Sequence, residues 1–218
     1  MTITYPRTIP ALLMGASRFE IVRQDISSSD GLGYPAGGSL GTDRWMLSAE
    51  FHGLGDRRAL ALQAFLDSLD GSAQRFLGYD RRCWWPYAYR ETQMAGMTVT
   101  ASSFSVSSSG QGLTLHGLTP GTVLDIGDMV GFKGGTDYAY RHAVRIVEGG
   151  TVDGAGDITL DVRPAVWPNV QAWAGVVAHL DKPSVTMRLT PDTQTSDFTA
   201  GGYMTARIVA LQDLIQEG

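Results

Sequence analysis

The fold is decided by a strand that leads directly into a helix, residues 44–71, RWMLSAEFHGLGDRRALALQAFLDSLDG. Apolar side chains in its first part alternate with polar ones, which is the period-2 pattern of a half-buried β-strand. These side chains are Trp45, Leu47, Ala49 and Phe51. Apolar side chains in its second part recur at helical spacing and form one stripe. They are Leu62, Phe65, Leu66 and Leu69. The stretch predicts a single amphipathic helix lying on a sheet.

The ends of this helix are marked by two residues. The carboxylate of Asp56 can cap the start, because it can accept hydrogen bonds from first-turn amides that have no partner within the helix. Gly71 can take the left-handed conformation that closes the end. We therefore expect the helix to run between these two positions.

Both ends of the chain predict long strands, and the middle predicts short ones. Strands are expected at SRFEIVRQD before the helix, at AQRFLGYD after it, and at SVTMRLTPDT and YMTARIVALQDLI near the C-terminus. The serine- and glycine-rich stretch SSSDGLGYPAGGSLG, residues 27–41, predicts a long loop. From Met97 small polar and apolar residues alternate, with turns at Ser109-Gly110 and Pro120-Gly121, which indicates five or six short strands.

The predicted fold class is mainly β, with two domains of which one is inserted in the other. Residues 1–95 and 181–218 are expected to form an outer β-sandwich with one flanking α-helix. Residues 96–180 are expected to form an inserted small β-barrel. Insertion is tolerated because the termini of a domain usually lie close together at its surface.

Composition excludes several classes of function. The chain has 218 residues, of which 43% are hydrophobic and only 18% charged, with a net charge of −5. No basic stripe is present to neutralise phosphates, so stable nucleic-acid binding is not expected. One cysteine cannot form an internal disulfide. Neither a signal peptide nor an apolar run of membrane-spanning length is predicted. Few charges and 27 glycines suit a chain that buries surface against other chains.

No motif for catalysis, cofactor binding or metal binding is predicted. Cys83 could serve as the nucleophile of a hydrolase only with a histidine beside it, and the histidines are scattered through the chain. They are His52, His116, His142 and His179. The glycine-rich loop at residues 31–41 has no Gly-Lys-Ser/Thr of a phosphate loop. TVDGAGDIT, residues 151–159, lacks the acidic ladder of a calcium loop and is interpreted as a hairpin turn.

Residues 75–90, RFLGYDRRCWWPYAYR, concentrate aromatic residues and arginines around the only cysteine. Such residues stack bases in single-strand binding proteins, but the acidic balance of the chain argues against that function. They also supply most of the binding energy of protein interfaces, and packing inside the chain is a third explanation. The predicted subunit-interface residues are Arg81, Arg82, Trp84, Trp85, Tyr87, Tyr89 and Arg90.

Aromatic residues of the predicted insert support an alternative function, a carbohydrate-binding module for host attachment. Exposed aromatic rings can stack on sugars, although core packing explains the same residues. The candidates for glycan stacking are Tyr138, Tyr140, Trp167 and Trp173.

The order of these segments resembles that of the distal tail protein of siphophages and gene transfer agents. The resemblance rests on RWMLSAEFHGL, DRRALALQAFLDSLDG and AQRFLGYDRRCWWPYAYR, then on GLTPGTVLDIGDMVGF with a Tyr-Arg-His strand, and finally on LDKPSVTMRLTPDTQT. It implies a belt domain, which is a tail-tube-like β-sandwich, and an inserted domain that projects outward. It carries over no catalytic residue and no cofactor.

The resemblance also implies partners and a location. The belt domains of six copies close into a homo-hexameric ring that joins the tail tube protein to the baseplate hub protein, with tail-tip or fibre proteins nearby. Such a protein is assembled in the bacterial cytoplasm and ends in the virion tail tip. DNA would pass through the lumen only as transient cargo, which the negative charge of the chain suits.

Overall fold

The structure is a computed structural model of the chain. It describes residues 4–10, 14–29, 35–39, 41–91, 95–191, 193–198 and 203–214. Within these ranges the strands are β1 (Arg7–Thr8), β2 (Met14–Val22), β3 (Asp25–Ser29), β4 (Pro35–Ser39), β5 (Arg44–Leu54), β6 (Phe76–Tyr79), β7 (Ser103–Val106), β8 (Gly112–His116), β9 (Val123–Leu124), β10 (Met129–Gly134), β11 (Tyr140–Glu148), β12 (Gly150–Thr151), β13 (Ile158–Arg163), β14 (Val177–His179), β15 (Ser184–Leu189), β16 (Thr195–Phe198) and β17 (Met204–Gln212). Helix α1 spans Asp56–Ser68, and short 3₁₀ turns span Tyr87–Tyr89, Thr136–Tyr138 and Pro168–Ala172.

The fold is mainly β with one α-helix, as the sequence predicts. Seven strands form an outer sheet in the order β1-β6-β15-β17-β5-β2, with β16 paired to β17. The short β1 runs parallel to β6, and the other pairs are antiparallel. These strands come from both ends of the chain, before residue 80 and after residue 183.

Strand β5 has the predicted alternation, because Trp45, Leu47, Ala49 and Phe51 are all buried. The sheet curves strongly around this strand. A Cβ placed on Gly78 of β6 would stand 2.2 Å from Met187 Sδ and 3.4 Å from Leu47 Cδ2. Glycine at this position thus leaves room for the Met187 thioether of the neighbouring strand β15, which any larger side chain would displace.

Helix α1 covers the core of the outer sheet with the predicted face. Leu62, Phe65 and Leu69 are buried, and the Phe65 ring meets the Phe76 ring edge-on at 5.8 Å between centroids. Gly71 has the expected left-handed conformation, with φ 63°. The expected cap at Asp56 is wrong.

Gly55 occupies the N-cap position, and no side chain caps the helix there. Asp56 lies in the first turn, where a carboxylate still favours the positive end of the helix dipole. A capping residue and a first-turn carboxylate stand one position apart, so the sequence pattern fits both.

Six strands of the middle segment form a second sheet in the order β14-β10-β11-β13-β8-β7. The chain before β7 closes this sheet on itself. Ala101 N donates to Ala178 O at 2.9 Å, and Leu180 N donates to Val99 O at 2.8 Å, which joins the first strand to β14. We call this closed sheet the barrel; it has its own buried apolar core. Glycines with positive φ form both predicted turns, Gly110 and Gly121.

The loop predicted for residues 27–41 is wrong at residues 27–29 and 35–39, which form strands, whereas Gly41 lies in a bend. Strands β3 and β4 pair as an antiparallel ribbon, with Ser27 opposite Gly37 and Ser29 opposite Pro35. Residues 30–34 and 40 lie outside the described residues. The backbone makes this ladder, and serine and glycine side chains carry no apolar alternation that could have indicated it.

The outer face of the barrel lies against the outer sheet along a contact with several polar bonds, which we call the seam. Trp45 Nε1 donates to Ala143 O at 2.7 Å, and the Gln212 side-chain amide donates to His142 Nδ1 at 3.0 Å. Met129 and Ala143 of the barrel join the core of the outer sheet. The domain boundaries at residues 95/96 and 180/181 stay a prediction.

Candidate functional site

The predicted interface residues lie on a connecting segment, residues 80–91, which links β6 to the barrel. Hydrogen bonds fold this segment back on itself. Cys83 N donates to Asp80 O at 3.0 Å, and Tyr89 N donates to Pro86 O at 3.0 Å. Lys182 N donates to Trp84 O at 2.8 Å, so the two crossings of the chain between the sheets lie side by side.

The structure divides the seven predicted interface residues into two groups. Trp85 and Tyr89 are half-buried and pack against the barrel core, and the Tyr89 hydroxyl accepts a hydrogen bond from Val123 N at 2.8 Å. They attach the connecting segment to the barrel. The exposed members are Arg81, Arg82, Trp84, Tyr87 and Arg90. For all seven residues the predicted subunit interface stays a prediction.

Asp80 fixes the start of the connecting segment. Its side chain is only 1% exposed, and it accepts hydrogen bonds from the guanidinium groups of Arg82, at 3.0 and 3.1 Å, and Arg145, at 3.3 Å. Arg145 also lies over the Trp45 ring, 5.0 Å from its centroid. The carboxylate thus ties the segment to both sheets, since Trp45 belongs to β5 and Arg145 to β11.

An exposed patch of apolar side chains borders the connecting segment. Tyr87 is 65% exposed and Ile126 is 76% exposed, and Val147 also faces outward. The turn that carries Ile126 is held by Asp128, whose carboxylate accepts hydrogen bonds from the amides of Tyr87 and Asp125, both at 2.8 Å. We call Tyr87, Ile126 and Val147 the exposed patch.

Sequence reasoning missed Ile126 and Val147. A usable signal was the turn sequence Asp125-Ile126-Gly127-Asp128, in which a large apolar residue stands at a turn tip where polar residues are usual. Large apolar side chains exposed next to one another indicate a contact surface for another protein.

Cys83 has no histidine partner. Its Sγ lies 3.5 Å from Gly127 O, and burial raises the pKa of the thiol, which disfavours the nucleophilic thiolate. All four histidines have other partners, which are Glu50 for His52, Asp157 for His116, Gln212 for His142 and Asp181 for His179. The geometry gives no support to the hydrolase hypothesis.

The four predicted glycan-stacking residues have different environments. Trp173 is only 5% exposed and belongs to the barrel core, so its ring has no face on which a sugar could stack. The prediction of glycan stacking is therefore wrong for Trp173. Tyr140 is half-buried against Trp173, with 5.6 Å between ring centroids. Tyr138 is exposed. Trp167 is half-buried and lines a cavity, and stacking at these three residues stays a prediction.

This cavity has a volume of about 820 Å³ and lies between the base of the β3–β4 ribbon and the barrel. Besides Trp167 it is lined by Gln171 and by the serine-rich turn 107–111. Its charged lining residues are two arginines and two aspartates, so their formal charges cancel. They are Arg23, Arg163, Asp25 and Asp43.

Metal ligation finds no support where the structure describes the chain, because no three histidine, cysteine, aspartate or glutamate side chains come together there. The stretch TVDGAGDIT forms the expected tight turn. Asp153 Oδ1 accepts hydrogen bonds from Ala155 N at 2.8 Å and Asp157 N at 2.9 Å, so its carboxylate shapes the backbone.

The outer sheet ends at β2, which pairs with β5 on one side and with no strand of the described residues on the other. Trp45 N is directed to the Gln212 side chain, on the β17 side of β5. In an antiparallel ladder, when the backbone N–H and C=O of one residue point away from the neighbouring strand, those of the residue directly opposite it also point away. Ile21 lies directly opposite Trp45, and Phe19 and Ser17 follow at every second position of β2. The amides of these three residues therefore face the outer edge. Arg145 donates to Phe19 O at 3.3 Å from that side.

Among the described residues, no helix has both the length and the apolar character needed to cross a membrane. A comparison with protein-family models found no family that matches this chain. A comparison with curated proteins found no significant match either.

Proposed function

We propose that this protein is a non-enzymatic structural subunit whose copies form a ring at the distal end of a phage-like tail, where the ring joins the tail tube to the baseplate hub. The observation that carries the proposal is the outer edge of β2, a nine-residue strand with no partner strand on one side in the described structure. The resemblance of the segment order to distal tail proteins is the reason for placing this ring in a phage-like tail.

A long strand edge with no partner strand presents amides and carbonyls that pair readily with a strand of another chain, although on β2 Arg145 already binds the carbonyl of Phe19. Closed rings need two different complementary surfaces on each subunit. The edge of β2 supplies one candidate surface, and the exposed patch with Trp84 supplies another. The net charge of −5 suits a conduit that must not hold DNA.

The experiment compares the wild type with Ser17→Pro and Ser17→Ala. Proline removes the outward amide of Ser17 without removing a bond to β5, whereas alanine keeps that amide. Mass photometry and negative-stain microscopy at micromolar concentration should show rings for the wild type and for Ser17→Ala, and monomers for Ser17→Pro. Circular dichroism checks that the proline variant is folded.

A wild-type chain that stays monomeric at every concentration and salt condition would refute the ring. The tail assignment has its own test in the neighbouring genes. It predicts a tape-measure protein on one side and a hub protein on the other.

The cavity beside Trp167 favours a second candidate function, the binding of a host saccharide. A neutral sugar suits a site in which an aromatic ring, serine hydroxyls and an amide surround balanced charges. A glycan array should then give signals that Trp167→Ala abolishes and Trp84→Ala, which changes an exposed ring elsewhere, does not. An array with no wild-type signal refutes this function.

A further inference from the structure

A second, smaller cavity of about 230 Å³ lies where the β1–β6 edge of the outer sheet meets the outer face of the barrel. Thr8, Leu77 and Tyr79 line it from the outer sheet. The barrel and the chain leading to β15 supply the polar wall. We call this cavity the basic cleft; its polar wall consists of Lys133, Arg141, His179, Asp181, Lys182 and Ser184.

Strand register explains why these side chains meet. Lys133 of β10 is directly opposite Arg141 of β11, and Gly131 is opposite His179 of β14. Side chains two residues apart share a face, and so do directly opposite ones, so Lys133, Arg141 and His179 all lie on the outer face of the barrel, away from Phe132 in its core. The glycine is required by a close approach, since a Cβ at Gly131 would stand 2.7 Å from the His179 ring.

The basic cleft carries an excess of positive charge in an acidic protein. Three cations, Lys133, Arg141 and Lys182, and one carboxylate, Asp181, line the cleft, which gives the lining two formal excess positive charges when the histidine is neutral. The Lys182 ammonium lies over the Trp84 ring, 5.8 Å from its centroid. Burial lowers the pKa of Arg141, so its guanidinium has lost hydration. Burial acts to raise the pKa of Asp181, but the His179 hydrogen bond and the Lys133 charge outweigh burial and lower it.

Two further features are typical of a built site. Lys182, a lining residue of the cleft, has a left-handed φ of 42°, although it is not glycine, and such strain often accompanies binding sites. Tyr138 lies beneath both Lys133 and Arg141, at 5.3 and 6.0 Å from its ring centroid.

His179 is the second feature. Its side chain is 4% exposed, and its Nε2 has no hydrogen-bond partner among the described residues. Its Nδ1 is engaged by the backbone carbonyl and carboxylate of Asp181, at 2.8 and 3.2 Å. Because Nδ1 carries the proton, Nε2 of the neutral ring is a buried acceptor without a partner, which costs free energy that a ligand hydroxyl in the cleft would recover.

We propose that the basic cleft binds a phosphate dianion. Its two excess charges match a doubly charged tetrahedral oxyanion, and a guanidinium with two ammonium groups supplies charge-assisted donors. Asp181 adds selectivity, because its carboxylate can accept a hydrogen bond from the P–OH of hydrogen phosphate. Sulfate at neutral pH has no such proton.

The first experiment is isothermal titration of the full-length chain with sodium phosphate at constant ionic strength. Binding in the millimolar range or tighter is expected, weakened about tenfold or more by Lys182→Gln, which removes one charge-assisted hydrogen bond. Lys182 is exposed, so this variant keeps the fold. Arg57→Gln removes an equally exposed cation on α1 and should leave phosphate binding unchanged.

The second experiment tests selectivity. The wild type should bind phosphate more tightly than sulfate, and Asp181→Asn should reverse that order, because it replaces the charged acceptor for the P–OH by a neutral amide whose NH2 can donate to sulfate. A phosphate monoester dianion, which lacks that proton, should behave like sulfate if free phosphate is the ligand and should bind best if a phosphate head group is the ligand.

Absence of phosphate binding by the wild type overturns the proposal, as does equal binding by the wild type and Lys182→Gln. Neither result bears on ring formation, which is measured separately by particle mass. A subunit that forms rings but binds no phosphate would thus refute the cleft alone.

Discussion

The core under α1 and the seam between the two sheets are both buried, but they are held together differently. Under the helix, apolar side chains of α1, β5 and β6 pack with little directional bonding. In the seam, a few specific bonds join polar groups, such as the indole of Trp45 with the carbonyl of Ala143. The core under α1 therefore depends on how completely its side chains fill the space, whereas the seam depends on each polar atom having a hydrogen-bond partner.

The largest effect is expected from Phe65→Ala, which disrupts the apolar core under α1. The ring is buried and contacts Phe76, so its loss leaves a cavity. We expect a loss of about 3–5 kcal/mol in the free energy of unfolding, measured by urea denaturation. Leu60→Ala, on the exposed face of the same helix, should cost no more than about 1 kcal/mol. Equal losses in the two variants would contradict this packing.

The next effect is expected from Asp80→Asn in the seam. The substitution keeps the shape of the side chain but leaves Arg145 without its buried counter-charge. We expect a loss of about 2–3 kcal/mol in the same measurement. The control is Asp161→Asn, which breaks the exposed pair with Arg163 and should cost about 0.5 kcal/mol or less. A loss at Asp80 as small as the control would show that the seam does not depend on this pairing.

The third effect distinguishes the seam from the core under α1 by its dependence on pH, because His142 belongs to the seam. Burial lowers the pKa of His142 to about 4, from an ordinary value of 6.5. Between these values the unfolded chain takes up a proton that the folded chain does not. Stability is therefore unaffected by this group above pH 6.5 and falls as the pH drops towards 4. At pH 5 the loss should be about 2 kcal/mol.

His142→Gln tests this assignment, because glutamine does not titrate and can still accept a hydrogen bond from Gln212. Its unfolding free energy should vary less between pH 7 and pH 5 than that of the wild type. Parallel pH profiles for the two proteins would mean that another group causes the loss.

The smallest effect on stability is expected from Tyr87→Ser in the exposed patch. Its ring is mostly in solvent, so unfolding should change by no more than about 0.5 kcal/mol. If the patch is a subunit interface, the same variant should form fewer rings in mass photometry. Ala88→Ser, an exposed neighbour in the same turn, is the control. If Tyr87→Ser forms as many rings as the wild type, the patch is not part of the subunit interface.

Features governed by periodicity could be predicted from the sequence. The alternation in β5 and the stripe on α1 depend on which side chains leave water, and both are visible in the residue order. The mainly-β fold with one helix follows from them. Local turns were also predictable, because Gly71, Gly110 and Gly121 all have the positive φ that glycine favours.

Features governed by backbone pairing or by residues far apart in sequence could not be predicted. The β3–β4 ribbon is held by main-chain bonds between small residues. Burial of Trp173 and exposure of Tyr138 depend on how the barrel closes, since both belong to the same stretch of alternating residues. The basic cleft brings Lys133 of β10 and His179 of β14 together through strand register, which no local pattern encodes.

The pairing of Tyr79 with Ser184 has a consequence for how the chain reaches its native state. These neighbours on adjacent strands are separated by residues 80–183, so their contact closes a very long loop. Closure of a flexible loop of that length is slow and entropically unfavourable. A barrel that forms first would bring its two ends together, as the Lys182–Trp84 bond does in the finished structure, and would shorten the search. We therefore expect the middle of the chain to acquire protection from hydrogen exchange before the outer sheet during refolding.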